Sequence, residues 1–203
     1  MKIYDFKGAP NPQRVRIFLA EKGIEVPFEH VDLTTQENRQ PEFMARNPAG
    51  GLPILELDDG TFIAESVAIC RYFEALYPEP PLFGETPAEI ATIDMWLRRV
   101  ELLVMSTVGM VWIHGHPLTA GLLEQIPAAA EQGRARAAVG YQLLDDQLAN
   151  NTFIAGDKYS VADAVAHATL DFATGLVGVP IGDDQVHLKR WHEMVSKRPS
   201  ASA

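Results

Sequence analysis

The chain has 203 residues, 47% hydrophobic and 22% charged, which is the balance of a globular protein with room for one large or two small cores. Its formal net charge of −10 speaks against nonspecific nucleic-acid binding and against docking on an anionic membrane. A single cysteine excludes an internal disulfide, and no signal-peptide core or transmembrane-length apolar run follows Met1, so a reducing, cytoplasmic setting is the expectation.

Lys2–Asp5 reads as a short strand, and Pro10, Asn11 and Pro12 as a rigid loop after it. Val15, Phe18 and Leu19 give the next segment an apolar helical face that Gly23 can terminate, and Arg14 reads as a solvated or salt-bridged residue of that helix. Pro27–Asp32 alternates as a second strand, and two strands joined by a helix are most simply parallel. Gln36–Arg46 is a short irregular helix stopped by Asn47-Pro48.

The segment from Asn47 to Glu74 organises the first half of the chain. Gly50 and Gly51 loosen the backbone before Leu52-Pro53, Ile54, Leu55 and Leu57 make a strand, Asp58-Asp59-Gly60 is a hairpin signal, and Phe62-Ile63 begins the return. A helix then starts at Glu65-Ser66, with Ile69, Cys70, Phe73 and Leu76 inward; Cys70 reads as a packed core thiol. Leu52–Pro53 is an X–Pro bond that is cis at low cost, and a cis bond there turns the backbone N–H and C=O of Leu52 outward. The helix N-terminus with Ser66 suits a carboxylate, and Glu65 can accept from an amine. Together these groups fit an α-amino acid head group; a tight turn with an N-cap fits the same spacing.

Pro78–Pro87 is proline-rich and reads as a linker, after which strand signals disappear. Ile90, Ile93, Leu97, Val100, Val104, Val108 and Val111 mark one face of a long helix ended by Gly115-His116-Pro117. A second long helix closes at Asn150-Asn151, a third runs from Ser160 to about Gly175, and a short one from Asp183 to Lys197. Ser160 and Asp163 have capping-box spacing, with Tyr159 as a hydrophobic staple. The fold class is thus α/β plus all-α, with an N-terminal thioredoxin-like domain at 1–77, a linker at 78–87 and a C-terminal helical bundle at 88–203.

The runs NPAGGLP, DDGT and ESVAICRY resemble the glutathione-binding segment of the cytosolic glutathione transferase family, and FIAGDKYSVADAVAHATL resembles its second-domain signature. The resemblance covers both domains. It implies that Leu52, at the Pro53 turn, pairs through its backbone with the cysteinyl part of glutathione, and that Glu65 and Ser66 hold the γ-glutamyl end. It implies a homodimer in which the glutathione thiolate attacks a small electrophile in an apolar cleft between domains, with glutathione as co-substrate, no metal and no membrane. Met105, Val108, Met110, Trp112 and His114 would line the electrophile's pocket. His114 and His116 are too few for a metal site by themselves.

The family places a Tyr, Ser or Cys after the first strand to stabilise the thiolate, and Ala9–Arg14 holds none. Asn11 is the short donor at that place, in a P-N pair that resembles bacterial transferases of the nu class. Asn11 as a plain turn or N-cap residue fits equally, and Tyr4 is the reserve, more simply a core residue of its strand. Gly51 stands where the family carries a long polar side chain toward the glycine carboxylate, a contact that Asn38, Arg39 or Gln40 would replace. Conjugation is the preferred reading. Glutathione-dependent disulfide or peroxide reduction, and a non-catalytic binding protein, are the alternatives.

Overall fold

Strand β1 (Lys2–Asp5) is central to a four-stranded sheet. It pairs in parallel with β2 (Phe28–His30) and antiparallel with β3 (Ile54–Glu56), which pairs antiparallel with β4 (Phe62–Ala64), in the order β2-β1-β3-β4. In this computed structural model, which describes all 203 residues, the sheet belongs to a unit formed by Met1–Leu82 with Pro199–Ala203. The second unit is Phe83–Arg198.

Ile3, Tyr4 and Asp5 are buried in succession, so β1 is covered on both faces and cannot alternate. Tyr4, Val31, Phe43 and Ile54 form one cluster, with Phe43 supplied by α2 (Pro41–Arg46). Helix α1 (Pro10–Lys22) packs on α3 (Ser66–Leu76), which meets β3 and β4. β2 is shorter than expected because it borders the sheet; only the Val31 N–H to Asp5 and the Ile3 N–H to Pro27 extend its bonding. Gly23 ends α1 in the left-handed region at φ 65°, and Cys70 is fully buried, both as the sequence suggests. The last five residues close this unit, with Gln13 Nε2 donating to the Ala203 carbonyl at 3.2 Å and Ser200 Oγ donating to Glu21.

The second unit is helical. α4 (Pro87–Arg99) runs through a π segment (Val100–Met105) into α5 (Ser106–Gly115), so the expected long helix is one continuous run. Ile93, Leu97, Val100, Val104, Val108 and Val111 are its buried stripe, whereas Ile90 is exposed. Thr86 and Glu89 form a capping box at its start. α6 (Pro127–Leu148) lies so close that a Cβ on Gly133 would stand 2.8 Å from the Thr107 carbonyl oxygen, and one on Gly140 2.7 Å from that of Leu103.

α7 (Val161–Phe172) continues through a π turn to Val177, and α8 (Val186–Val195) follows. The Ser160–Asp163 capping box is present. Asp163 does more than cap: its carboxylate accepts from the N–H groups of Ser160 and Ile154, the Ser160 hydroxyl and the Trp191 indole N–H, at 2.9–3.0 Å. Tyr159 lies edge-on to Phe153, with Arg198 over its ring, and so belongs to the loop before α7 as much as to the helix. No helix is long and apolar enough to cross a membrane.

Candidate functional site

Three pieces of the first unit carry the expected ligand-binding groups. At the start of α1, Ala9 is extended and Pro10, Asn11 and Pro12 are the first three helical residues. This corrects the reading of Pro10–Pro12 as a loop. First-turn N–H groups have no intrahelical partner, so proline loses nothing there and its fixed φ suits the helix. That outweighs the extended bias on the residue before Pro12. The prolines carry no N–H, and the Gln13 N–H is bonded to the Ala9 carbonyl at 3.1 Å. Asn11 therefore supplies the one first-turn amide N–H without a backbone acceptor, and its own Oδ1 is buried without a hydrogen bond.

At the start of α3, Glu65 is exposed with φ 70° and ψ 118°, a strained conformation for a residue with a Cβ. Ser66 is the first helical residue and no side chain caps the helix, so the alternative of a turn with a side-chain N-cap does not hold here. That hydroxyl instead accepts from Arg14 Nη1 at 3.4 Å, and Arg14 is only 3% exposed, not a solvated helix residue. The first N–H of α3 bonded within the chain is that of Ile69, to the Glu65 carbonyl at 3.0 Å. The N–H groups of Ser66, Val67 and Ala68 are left at the positive end of the helix.

Between these lies the Asn47–Pro53 loop. Asn47 accepts from the Ala49 N–H and donates to the Gly51 carbonyl, which fastens the turn at 3.1 and 2.9 Å. Asn38 Nδ2 donates to the Gly50 carbonyl at 2.8 Å, so this amide donor holds the loop. The Arg39 guanidinium lies against the same turn, 3.5 Å from the Ala49 carbonyl. The Leu52–Pro53 bond is cis. The Leu52 side chain packs against the Tyr4–Phe43 cluster, while its N–H and C=O have no backbone partner.

Tyr4 is 2% exposed and its hydroxyl donates to Glu56 at 2.5 Å, beneath the Arg46 guanidinium. Burial, and then Glu56, push its phenol above the usual range. It is therefore a neutral core residue with its proton engaged elsewhere.

In the second unit, Val108 is fully buried in the helical core and does not line a pocket. Met105, Met110, Trp112 and His114 are partly exposed, and Trp112 stacks edge-on against Phe172 at 5.3 Å. His114 Nδ1 accepts from the Ile126 N–H and His116 Nδ1 from that of Leu118, so both imidazoles hold local turns. Sequence reasoning missed Arg14 as part of the site. Its spacing three residues after Asn11, on the same helical face, is the signal that was available.

The model of the glutathione S-transferase N-terminal domain matches residues 3–81, and that of the C-terminal domain matches 105–199. Glutathione S-transferase 2 of Saccharomyces cerevisiae is 38% identical over 204 residues, 98% of this chain and 87% of the yeast protein. The crystal structure of Gtt2 from Saccharomyces cerevisiae superposes with TM-score 0.95 at 38% identity, over 100% of this chain and 99% of that one. A glutathione S-transferase domain-containing protein of Marinobacter aquaeolei gives 0.94 at 42%, over 98% and 99%. Two family models in register with the two structural units, and identity at this level over nearly the whole chain, place the protein in the glutathione S-transferase family.

Proposed function

We propose that this glutathione transferase binds glutathione along the first unit. Leu52 pairs through its backbone with the cysteinyl part, and Glu65 accepts from the γ-glutamyl ammonium. Ser66 and the open N–H groups of α3 hold the neighbouring carboxylate. The observation that carries this reading is the pairing of an uncapped helix N-terminus at Ser66 with an unused backbone donor and acceptor at Leu52. Asn38 acts as the brace of the loop, which leaves Arg39 or Gln40 for the glycine carboxylate.

The sulfur is assigned to Asn11. Its Nδ2 and its backbone N–H are neutral donors at the positive end of α1, the arrangement that lowers a thiol pKa without a hydroxyl. The thiolate then attacks the electrophilic carbon of a small substrate, forming the thioether and displacing the leaving group. A homodimer in a cytoplasmic setting completes the proposal, supported by exposed Met95, Leu102 and Leu103 on the long helix and by one buried free thiol.

Parallel assays with an aromatic halide, a glutathionyl mixed disulfide and an organic peroxide test the reaction. Conjugation of the halide is the expected result. Turnover of only the disulfide or peroxide would make the protein a glutathione-dependent reductase, and binding without turnover in all three would make it a binding protein.

A further inference from the structure

His167, Asp171 and His192 take no part in the site described above. His167 and Asp171 are four residues apart on α7, hence one turn apart on one face, and α8 brings His192 across to them. His192 Nε2 lies 2.7 Å from Asp171 Oδ1, and His167 Nε2 lies 3.4 Å from Asp171 Oδ2. The imidazoles stack at 5.4 Å between centroids, and one ligand atom from each residue falls within 4.8 Å of both others.

A tetrahedral ion with bonds of about 2.0–2.1 Å holds its ligand atoms roughly 3.3 Å apart. The His167–Asp171 edge already has that length. His192 Nε2 lies on the other oxygen, Oδ1, so an ion here takes both carboxylate oxygens or requires the Asp171 carboxylate to turn. His192 also has to back off by about 0.6 Å, an adjustment at partly exposed side chains. The two imidazoles face one carboxylate, one on each oxygen, and the Ser196 hydroxyl lies 3.1 Å from the same Nε2 of His167.

We propose that His167, Asp171 and His192 form a site for a divalent transition ion of the zinc type, with water in the fourth position. Two nitrogen donors and one carboxylate suit such an ion and disfavour magnesium or calcium, which take all-oxygen sets. His167 is buried and Asp171 exposed, so the ion sits at the rim of the α7–α8 seam with one side open to water. Binding releases any proton shared between His192 and Asp171 and ties α7 to α8. The site is independent of the glutathione reading.

The test is titration of the chelator-treated full chain with Zn2+ by calorimetry and with Co2+ by its visible absorption. One ion per chain, together with a rise in melting temperature, is expected. His192→Gln and Asp171→Asn, both at accessible positions that leave the core intact, should each weaken binding roughly tenfold or more and abolish the thermal shift. A His114→Ala/His116→Ala double variant should bind as the unaltered chain does. Absence of binding overturns the proposal, as does binding that persists in both α7–α8 variants or is lost in the His114/His116 variant.

Discussion

Arg14 Nη1 and Ser66 Oγ meet at 3.4 Å in a buried contact that joins the first turns of α1 and α3 across 52 positions of sequence. The guanidinium thereby sets the Ser66 hydroxyl as an acceptor on one side and leaves its proton for a ligand on the other.

Ser66→Ala should weaken glutathione binding by about 1.5–3 kcal/mol, the cost of a hydrogen bond to a charged group. Because Ser66 is not the cap of α3, the loss of stability should stay below about 1 kcal/mol. Calorimetry with glutathione beside thermal unfolding separates the two. Unchanged affinity with a marked loss of stability would reduce Ser66 to a packing role.

Asn11→Ala should raise the pKa of the bound glutathione thiol and slow turnover, and Tyr4→Phe should leave that pKa where it is. Tyr4→Phe removes the bond to Glu56 and should cost about 1 kcal/mol of stability. Titrating the thiolate absorbance at saturating glutathione checks both. A shift in Tyr4→Phe, or none in Asn11→Ala, reverses the assignment.

Glu65→Gly should move stability and binding in opposite directions. Glycine tolerates φ 70° without strain, so the fold should gain about 1 kcal/mol. The carboxylate is lost with it, and glutathione affinity should fall roughly tenfold or more. A variant that is both more stable and equally tight would remove Glu65 from the site.

Asp163→Ala should destabilise the protein by about 3 kcal/mol or more, since it strips the acceptor from Ile154, Ser160 and Trp191 donors in the core. Burial raises the Asp163 pKa to about 6, above the usual carboxylate range, with the Ile154, Trp191 and Ser160 donors pulling the other way. Between pH 4 and 6 the folded state therefore holds a proton that the unfolded state has lost, and this group's contribution to stability falls as pH rises through that window. Asp163→Asn should flatten that slope in urea-unfolding free energies measured from pH 4 to 7. An identical slope in both proteins would show that Asp163 is ionised throughout.

Dimerisation should depend on Leu102 and Leu103, which are 57% and 45% exposed beside the buried stripe. The chain of 22.4 kDa should sediment at twice that mass at micromolar concentration. Leu102→Glu with Leu103→Glu should yield monomer. A monomer before any substitution would leave these side chains without a partner copy.

Much of this was legible in the sequence, for identifiable reasons. The hairpin from Ile54 to Ala64 announced itself through Asp58-Asp59-Gly60, and the stripe from Ile93 to Val111 through its helical period, because both signals are local. The helical state of Asn11 was hidden because two local rules conflict there, and the tolerance of a first turn for proline won. The burial of Arg14 depends on α3, 52 residues away, and no local pattern reports it. The α7–α8 histidines were missed for the same reason: His167 and Asp171 show their spacing, but His192 joins them only through packing.

Gly133 and Gly140 act together as a register key for α6. Seven residues apart, they seat one face of the helix, at points two turns apart, on the carbonyls of Thr107 and Leu103, leaving no room for an axial slide or a rotation. A methyl group at either position lifts the helix away and loosens the contact at the other. The two alanine substitutions should therefore cost less together than the sum of each alone. Substitution at exposed positions of α6 such as Glu131 and Arg136 leaves that seating untouched, because the key lies wholly on the buried face.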